Sequence, residues 1–500
     1  MGSIAMEEVA IYPSEQKLHV VILPYPAKGH SIPLLHLAKR LHSMDVVVTF
    51  VNTFSHLSEE HIRTLDGLDY SMRVVELGVQ PPEGEGSGEL PYVAHANELV
   101  PDSMFMMEKL FAENKEAPPA CLVSDMFLGW TQVVADKFNI PRYVLFSSPA
   151  SALPTMLHVP ELIRQGRLPI DRSKWLELVH DIPGVPPTRI VDLPSPLQIH
   201  TRFLYSLFVQ NAYDMHDAAG VLINTYYELE APCIDTVRQT VYGDISGKEP
   251  HLLSILPVGP LLPDYYVNGK IHEASAHMKE QEPCLQWLDT QPESAVVYAS
   301  FGSVATVPIP QIHDLALGLE ASGERFLLAL RPPPNPDNVA LLPEGFEERI
   351  KGRGFVHFGW VPQLYVLSHP AVGGYLSHCG WNSTLEGLCQ GLPMLTWPIQ
   401  AEQAMNARFL VDEAKVALEV CTLTDGFITK DHISKVVRSL MREPEGALCR
   451  INALKLRNLA LAAVSEGGSV PKSLQKFLQE LRSWKPPRHH QQKNNPMPSF

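Results

Sequence analysis

The 500-residue sequence predicts an α/β protein made of two doubly wound parallel-sheet domains in series. Three observations point there. The length exceeds what one hydrophobic core ordinarily organises, so two domains are expected. The N-terminal stretch reads strand, helix, strand in "LHVVILPYP", "SIPLLHLAKRLHS" and "VVVTFVN", which is the parallel βαβ unit. A second alternation of the same kind begins at "SAVVYAS", from Ser294.

The elements follow in order. "LHVVILPYP" opens the first half as a strand. In the next segment Leu34, Leu37, Ala38 and Leu41 fall on one face at helical spacing, with Lys39 and Arg40 opposite. "VVVTFVN" is a β-branched strand ending at Asn52. "PACLVSDMF" and "IPRYVLFSS" are two more strands, separated by the helical "WTQVVADKFN", and "GVLINTYYELE" opens as another. After Ser294 come the helix "PQIHDLALGLEAS" and the strands "RFLLAL", "FVHF", "GGYLS", "PMLTW" and "VALEV". The expected organisation is a first domain over 1–255, a connection over 256–283, a second domain over 284–470, a closing helix over 471–484 and a polar tail over 485–500.

Composition removes several classes of function. With 45% hydrophobic and 19% charged residues the chain is globular. A net charge of -15 argues against a nucleic-acid partner. No apolar run approaches the roughly 18 residues of a spanning helix, so no membrane span is expected. The start lacks a basic end followed by an apolar stretch, so no secretory leader is expected. Seven scattered Cys without a CxxC pair suggest reduced thiols and a cytoplasmic location. No metal-ligand pattern is visible.

Chemistry concentrates in "YLSHCGWNSTLEGLCQGLPMLTWPIQAEQ", Tyr375 to Gln403. A strand ends there and a helix begins. A helix N-terminus offers unpaired N–H groups and a positive dipole end, which suits a phosphate. His378, Asn382 and Ser383 sit where they would add donors. Ser383 to Glu386 also fits a capping box, so the stretch alone leaves both readings open. The Gly-x-Gly-x-x-Gly and Walker patterns are absent. In the other half, His30 stands at the start of the first helix, where the positive helix end favours a neutral ring able to accept a proton. Asp125, at the carboxyl end of "CLVSD", is placed to orient that ring, or else to cap the helix that follows. Two doubly wound domains in tandem bring such strand ends to a shared cleft.

The forty-four positions from Trp360 to Gln403, "WVPQLYVLSHPAVGGYLSHCGWNSTLEGLCQGLPMLTWPIQAEQ", resemble the signature box of the plant-type UDP-dependent glycosyltransferases of family 1. "PYPAKGH", "GVLINTYYELE", "PVGPLL" and "CLQWLDTQPESAVVYASFGS" extend the resemblance over nearly the whole chain. It implies the GT-B fold, two Rossmann-like domains facing across a cleft. It implies that Trp360 stacks on uracil, that Val361 and Gln363 hold the nucleoside and that Glu386 binds the ribose. Ser303, His378, Asn382 and Ser383 would hold the pyrophosphate, and Trp381, Glu402 and Gln403 the sugar. Gln403 at the last position goes with UDP-glucose as donor. His30 and Asp125 would be catalytic, in an inverting transfer to a flavonoid or simple phenol that needs no metal and no further cofactor. Ser147 and Ser148, with the 80–105 and 193–210 segments, would face the acceptor. A monomer is expected. Another UDP-sugar, a carbon-, nitrogen- or ester-linked product, or a non-catalytic nucleotide-sugar binder are the alternatives. Gln400 and the long tail depart from the family pattern.

Overall fold

The computed structural model describes residues 17–52, 72–77, 100–114, 117–170, 172–198, 203–241, 252–271, 282–302, 307–331 and 341–486. Its first half is organised by strands β1 (His19–Leu23), β2 (Val47–Asn52), β3 (Arg73–Glu76), β4 (Cys121–Asp125) and β5 (Arg142–Phe146). A small antiparallel pair follows, β6 (Leu178–Val179) with β7 (Thr188–Arg189), and then β8 (Gly220–Ile223) and β9 (Ser254–Pro257). Seven of these make one parallel sheet in the order β3-β2-β1-β4-β5-β8-β9. Helices α1 (Lys28–Ser43), α2 (Val100–Glu113), α3 (Thr131–Lys137), α4 (Leu153–Arg164), α5 (Phe203–Met215) and α6 (Tyr227–Gln239) accompany it. The first sheet thus runs two residues past the expected end of its domain.

The second half repeats the plan. Strands β10 (Val296–Ser300), β11 (Arg325–Leu330), β12 (Gly354–Phe358), β13 (Val372–Ser377), β14 (Met394–Thr396) and β15 (Ala417–Glu419) pair in parallel in the order β12-β11-β10-β13-β14-β15. Its longer helices are α7 (Pro283–Asp289), α8 (Ile309–Ser322), α9 (Trp381–Cys389), α10 (Lys430–Arg442), α11 (Pro444–Val464) and α12 (Ser469–Ser483). The closing helix begins two residues before its expected start, because Pro471 fits the first turn, where no N–H is needed.

In each sheet the chain reverses its direction of travel between two neighbours: β1 and β4 in the first, β10 and β13 in the second. Connections leave these neighbours on opposite faces, so a crevice opens at their carboxyl ends. The strands themselves are apolar and inaccessible; every residue of β1, β4, β5, β10 and β13 is buried. A polar side chain at such a strand end is therefore aimed at the crevice or at a partner beside it.

The halves share one core. Leu256 and Tyr226 from the first pack in the same cluster as Ala460, Leu474 and Phe477 from the last two helices. Tyr226 donates its hydroxyl to the Leu456 carbonyl at 3.1 Å. The Glu480 carboxylate accepts from Tyr143 at 2.8 Å and from Ser254 at 2.8 Å. Among the described residues no helix is long and apolar enough to cross a membrane.

Candidate active site

Both crevices open into a single cavity of about 940 Å³, within the range of small-molecule sites. From the first domain comes His30, the third residue of α1. Asp125 is the last residue of β4, and the parallel pairing of β1 with β4 sets the two strand ends side by side. His30 Nδ1 lies 2.8 Å from Asp125 Oδ2, and Asp125 is fully buried behind it. The other carboxylate oxygen accepts the Phe127 backbone N–H at 3.0 Å. Asp125 is thus held at both oxygens and does not cap α3, whose N-cap is Trp130. Ser147 Oγ approaches the same ring nitrogen at 3.2 Å. Both groups suit a proton on Nδ1, which leaves proton acceptance to Nε2. Tyr25 and Phe127 pack on the imidazole, with ring centroids at 5.5 and 5.3 Å.

The second domain supplies the opposite wall. Trp360 is 64% exposed at the cavity edge, an aromatic face offered to a flat ligand. Val361 lies beside it. Gln363 is a hub: its Oε1 accepts from Tyr298 at 3.1 Å, and its Nε2 reaches Ser383 Oγ at 3.0 Å and Glu386 Oε2 at 2.6 Å. Burial pushes the Glu386 carboxyl up to about 7, against the Gln363 hydrogen bond, which lowers it. The capping-box reading fails here. Gly380 is the N-cap, no side chain caps the helix, and Ser383 and Glu386 both face Gln363.

His378 follows β13, and burial, aided by the Arg331 charge, holds its pKa down at about 4. It therefore acts as a neutral ring. Gly302 and Gly380 make room for it: a Cβ on either would fall 2.6 or 2.5 Å from its ring atoms. Beside it the first turn of α9 presents the backbone N–H groups of Trp381, Asn382 and Ser383. Farther along the cavity, burial raises the Glu402 carboxyl. Gln403 Oε1 accepts from the Ile399 and Gln400 backbone N–H groups, each at 2.9 Å. A carboxamide so engaged offers the cavity donors from Nε2, rather than both giving and taking as its residue type suggests.

Of the residues singled out in the sequence, His30, Ser147, Ser148, Trp360, Val361, Gln363, His378, Trp381, Asn382, Ser383, Glu386, Glu402 and Gln403 line this one cavity, with Asp125 directly behind His30. Ser303 lies outside the described residues. The Trp381 side chain is 3% exposed, and its indole N–H donates to the Asn224 carbonyl at 2.6 Å. Its ring is thereby a contact between domains. Trp397, the residue after β14, is buried against Phe301. From the 193–210 segment Pro194, Pro196 and Phe208 reach the cavity. Residues 80–99 lie outside the described residues, and 100–105 do not line it. Sequence reasoning did not single out Ile32, Met126, Phe127 and Phe146, which complete an apolar wall beside His30. Phe127 had a readable signal, two residues past a strand end; Phe208 was reached only through the 193–210 segment that the resemblance implied, since a Phe within an apolar helix gives no signal of its own. Among the described residues no cluster of three His, Cys, Asp or Glu is placed to hold a metal.

A model of the family described as UDP-glucoronosyl and UDP-glucosyl transferase matches residues 120–456. The chain belongs to this family. It is 34% identical to UDP-glycosyltransferase 72B1 of Arabidopsis thaliana over 91% of this chain and 94% of that one. It is also similar to the solved structure of Phytolacca americana UGT2 complexed with UDP-2fluoro-glucose and pterostilbene, with TM-score 0.77 and 31% identity over 93% of this chain and 99% of that one. A UDP-glucosyltransferase from Polygonum tinctorium capable of glucosylating indoxyl, solved with 3,4-dichloroaniline, superposes with TM-score 0.80 and 32% identity over 94% and 99% of the two chains. The two facing parallel-sheet domains are the GT-B fold of the plant family 1 UDP-glycosyltransferases, and this protein is a UDP-glycosyltransferase of small molecules.

Proposed function

We propose that this glycosyltransferase moves glucose from UDP-glucose to a hydroxyl of a small aromatic acceptor, with inversion, using His30 as general base and Asp125 to orient it. The observation that carries the reading is the His30–Asp125 pair at 2.8 Å, set across one cavity from the Trp360–Gln363–Glu386 wall. The uracil would stack on Trp360 and the ribose hydroxyls would donate to Glu386. The pyrophosphate would meet the first turn of α9, Ser383, Asn382 and the neutral His378. Glu402 as acceptor and Gln403 as donor complement the hydroxyls of an uncharged hexose. The apolar wall of Ile32, Met126, Phe127, Phe146 and Phe208 favours a flat aromatic acceptor over a polar one. The UDP-2fluoro-glucose and pterostilbene held by the Phytolacca americana relative support both halves of the reading.

In the reaction, Nε2 of His30 takes the proton of the acceptor hydroxyl as its oxygen bonds to the anomeric carbon. The bond from that carbon to the phosphate oxygen breaks on the opposite face, through an oxocarbenium-like transition state. Asp125 stabilises the imidazolium as it forms. The negative charge gathering on the leaving diphosphate is met by the helix N-terminus and its donors, so the reading requires no metal. The test is UDP release with UDP-glucose and a panel of flavonoids and phenols, product masses read in parallel. Products one hexose heavier are expected. His30→Ala should lower kcat by about 10²–10⁴-fold with UDP binding retained. A variant with near-native kcat would remove His30 from the role of base.

A further inference from the structure

Asn224 is the residue after β8, 1% exposed, and it touches three separate parts of the molecule. Its backbone N–H donates to the Phe146 carbonyl at the end of β5 at 3.0 Å. Its side-chain Oδ1 accepts the Leu261 N–H of the segment joining the domains at 2.8 Å. Its carbonyl takes the Trp381 indole N–H, and its Nδ2 donates to Asn382 Oδ1 at 3.2 Å. Asn382 in turn donates from Nδ2 to the Gly29 carbonyl at 2.8 Å, one residue before His30.

The direction of this chain of bonds is fixed at both ends. Leu261 N–H can only donate, so Asn224 must turn Oδ1 toward it and Nδ2 toward Asn382. Gly29 C=O can only accept, so Asn382 must turn Nδ2 toward it and Oδ1 toward Asn224. Two carboxamides therefore fit in one orientation each. Sequence also prepares the far end. Pro33 is four residues after Gly29 and has no N–H to return to that carbonyl. The Gly29 oxygen in the first turn of α1 is thus available to a donor from the other domain. At the near end the joining segment fits closely, since a Cβ on Gly259 would lie 2.7 Å from Asn224 Oδ1.

We propose that Asn224 is a positioning residue: through Asn382 and the Gly29 carbonyl opened by Pro33, it sets the donor-site helix α9 at a fixed distance from His30 across the cleft. The proposal rests on the functional reading above, in which α9 holds the diphosphate and His30 is the base. Asn224 itself lines neither the cavity nor the His30 ring. It acts on the alignment of the acceptor oxygen with the anomeric carbon, where small misplacements are costly.

The test compares Asn224→Ala, Asn224→Asp and Pro33→Ala in the full chain, with kcat and KM for UDP-glucose and the best acceptor, UDP binding by calorimetry, and thermal midpoint. Asn224→Asp keeps the acceptor for Leu261 N–H but sets an oxygen against Asn382 Oδ1. If Asn382 then flips to donate to the introduced carboxylate, its oxygen faces the Gly29 carbonyl, so one cross-cleft bond is lost either way. Pro33→Ala supplies a helical N–H that competes for Gly29 C=O, and it cannot destabilise the helix through propensity. Expected are a fall in kcat of about tenfold for both Asn224 variants and about threefold for Pro33→Ala, with UDP affinity within about twofold of wild type. An undiminished kcat in Asn224→Asp and Pro33→Ala overturns the proposal. So does a fall in kcat, UDP affinity and thermal midpoint together in all three, which is the signature of a merely structural residue. His30→Ala is run alongside: if it alone keeps its kcat, the reading of the base fails while the clasp is judged by its own variants.

Discussion

Glu386 gives one carboxylate oxygen to Gln363, lines the cleft, and has its carboxyl pushed up to about 7 by burial. In the ligand-free protein it is therefore half protonated near neutrality, and in the proposed donor pose a ribose that donates two hydroxyls would select the carboxylate. UDP affinity should rise between pH 6 and 8, by at most about tenfold per unit below pH 7, and level above. Calorimetry in buffers of different ionisation heat should show proton release on binding near pH 6.5. Stability has the opposite sign. The folded value lies above the ordinary carboxyl value of 4.5, so the folded state binds the extra proton, and this group's contribution falls as pH rises from 4.5 through 7. Glu386→Gln should flatten the affinity profile and weaken UDP binding, while raising the ligand-free thermal midpoint at pH 8 by about 1–3 °C. A pH-independent wild-type affinity would contradict this account of the carboxylate.

At the scale of elements, the two sheets make their chemistry by the same device: a strand buried on both faces ends, and the next polar side chain enters a crevice. That is why much of the site was legible in the sequence. Asp125 stands out after "CLVS" and His378 after "YLS" because a carboxylate or an imidazole contrasts with the largely apolar run before it. What was not legible lacked that contrast. The strand "RVVE" has four residues with charged ends and no pattern. Phe208 within "FLYSLFVQNAYDM" reads as core wherever its ring points. Asn224 at a strand end reads as a turn residue, and its partner Asn382 is 158 positions away. The turn from β13 into α9 can be tested directly. Gly380 has φ -59° and ψ 140°, which any residue adopts, so what excludes a side chain there is space. Gly380→Ala would push on His378 Nε2 from 2.5 Å and displace the ring from the proposed diphosphate site. UDP affinity should fall by about tenfold or more, whereas Gly426→Ala, where a Cβ meets nothing within 4 Å, should bind as wild type. Equal affinity in both variants would show that the ring does not need its present position.

For the whole molecule, the question is whether two facing domains unfold as two bodies or one. A pair joined by a loop would melt in two steps, but here the last two helices return to the first domain. Phe477 on α12 is fully buried, meets Tyr143 of β5 edge to face at 4.8 Å, and belongs to the cluster that also holds Leu256, Tyr266 and Leu385. Glu480, one turn on, receives hydroxyls from β5 and from the start of β9. The apolar side of α12, with Val470, Leu474, Leu478 and Leu481, thus closes a core drawn from both halves. Cooperativity should follow, and calorimetry should give one transition with equal calorimetric and van't Hoff enthalpies. Phe477→Ala removes a ring from that shared core at a cost of about 3–5 kcal/mol, and the whole transition should move down together, UDP protecting both halves alike. Two resolved transitions, with Phe477→Ala shifting one and UDP the other, would mean that each domain carries its own stability and that the cleft is held by its local bonds alone.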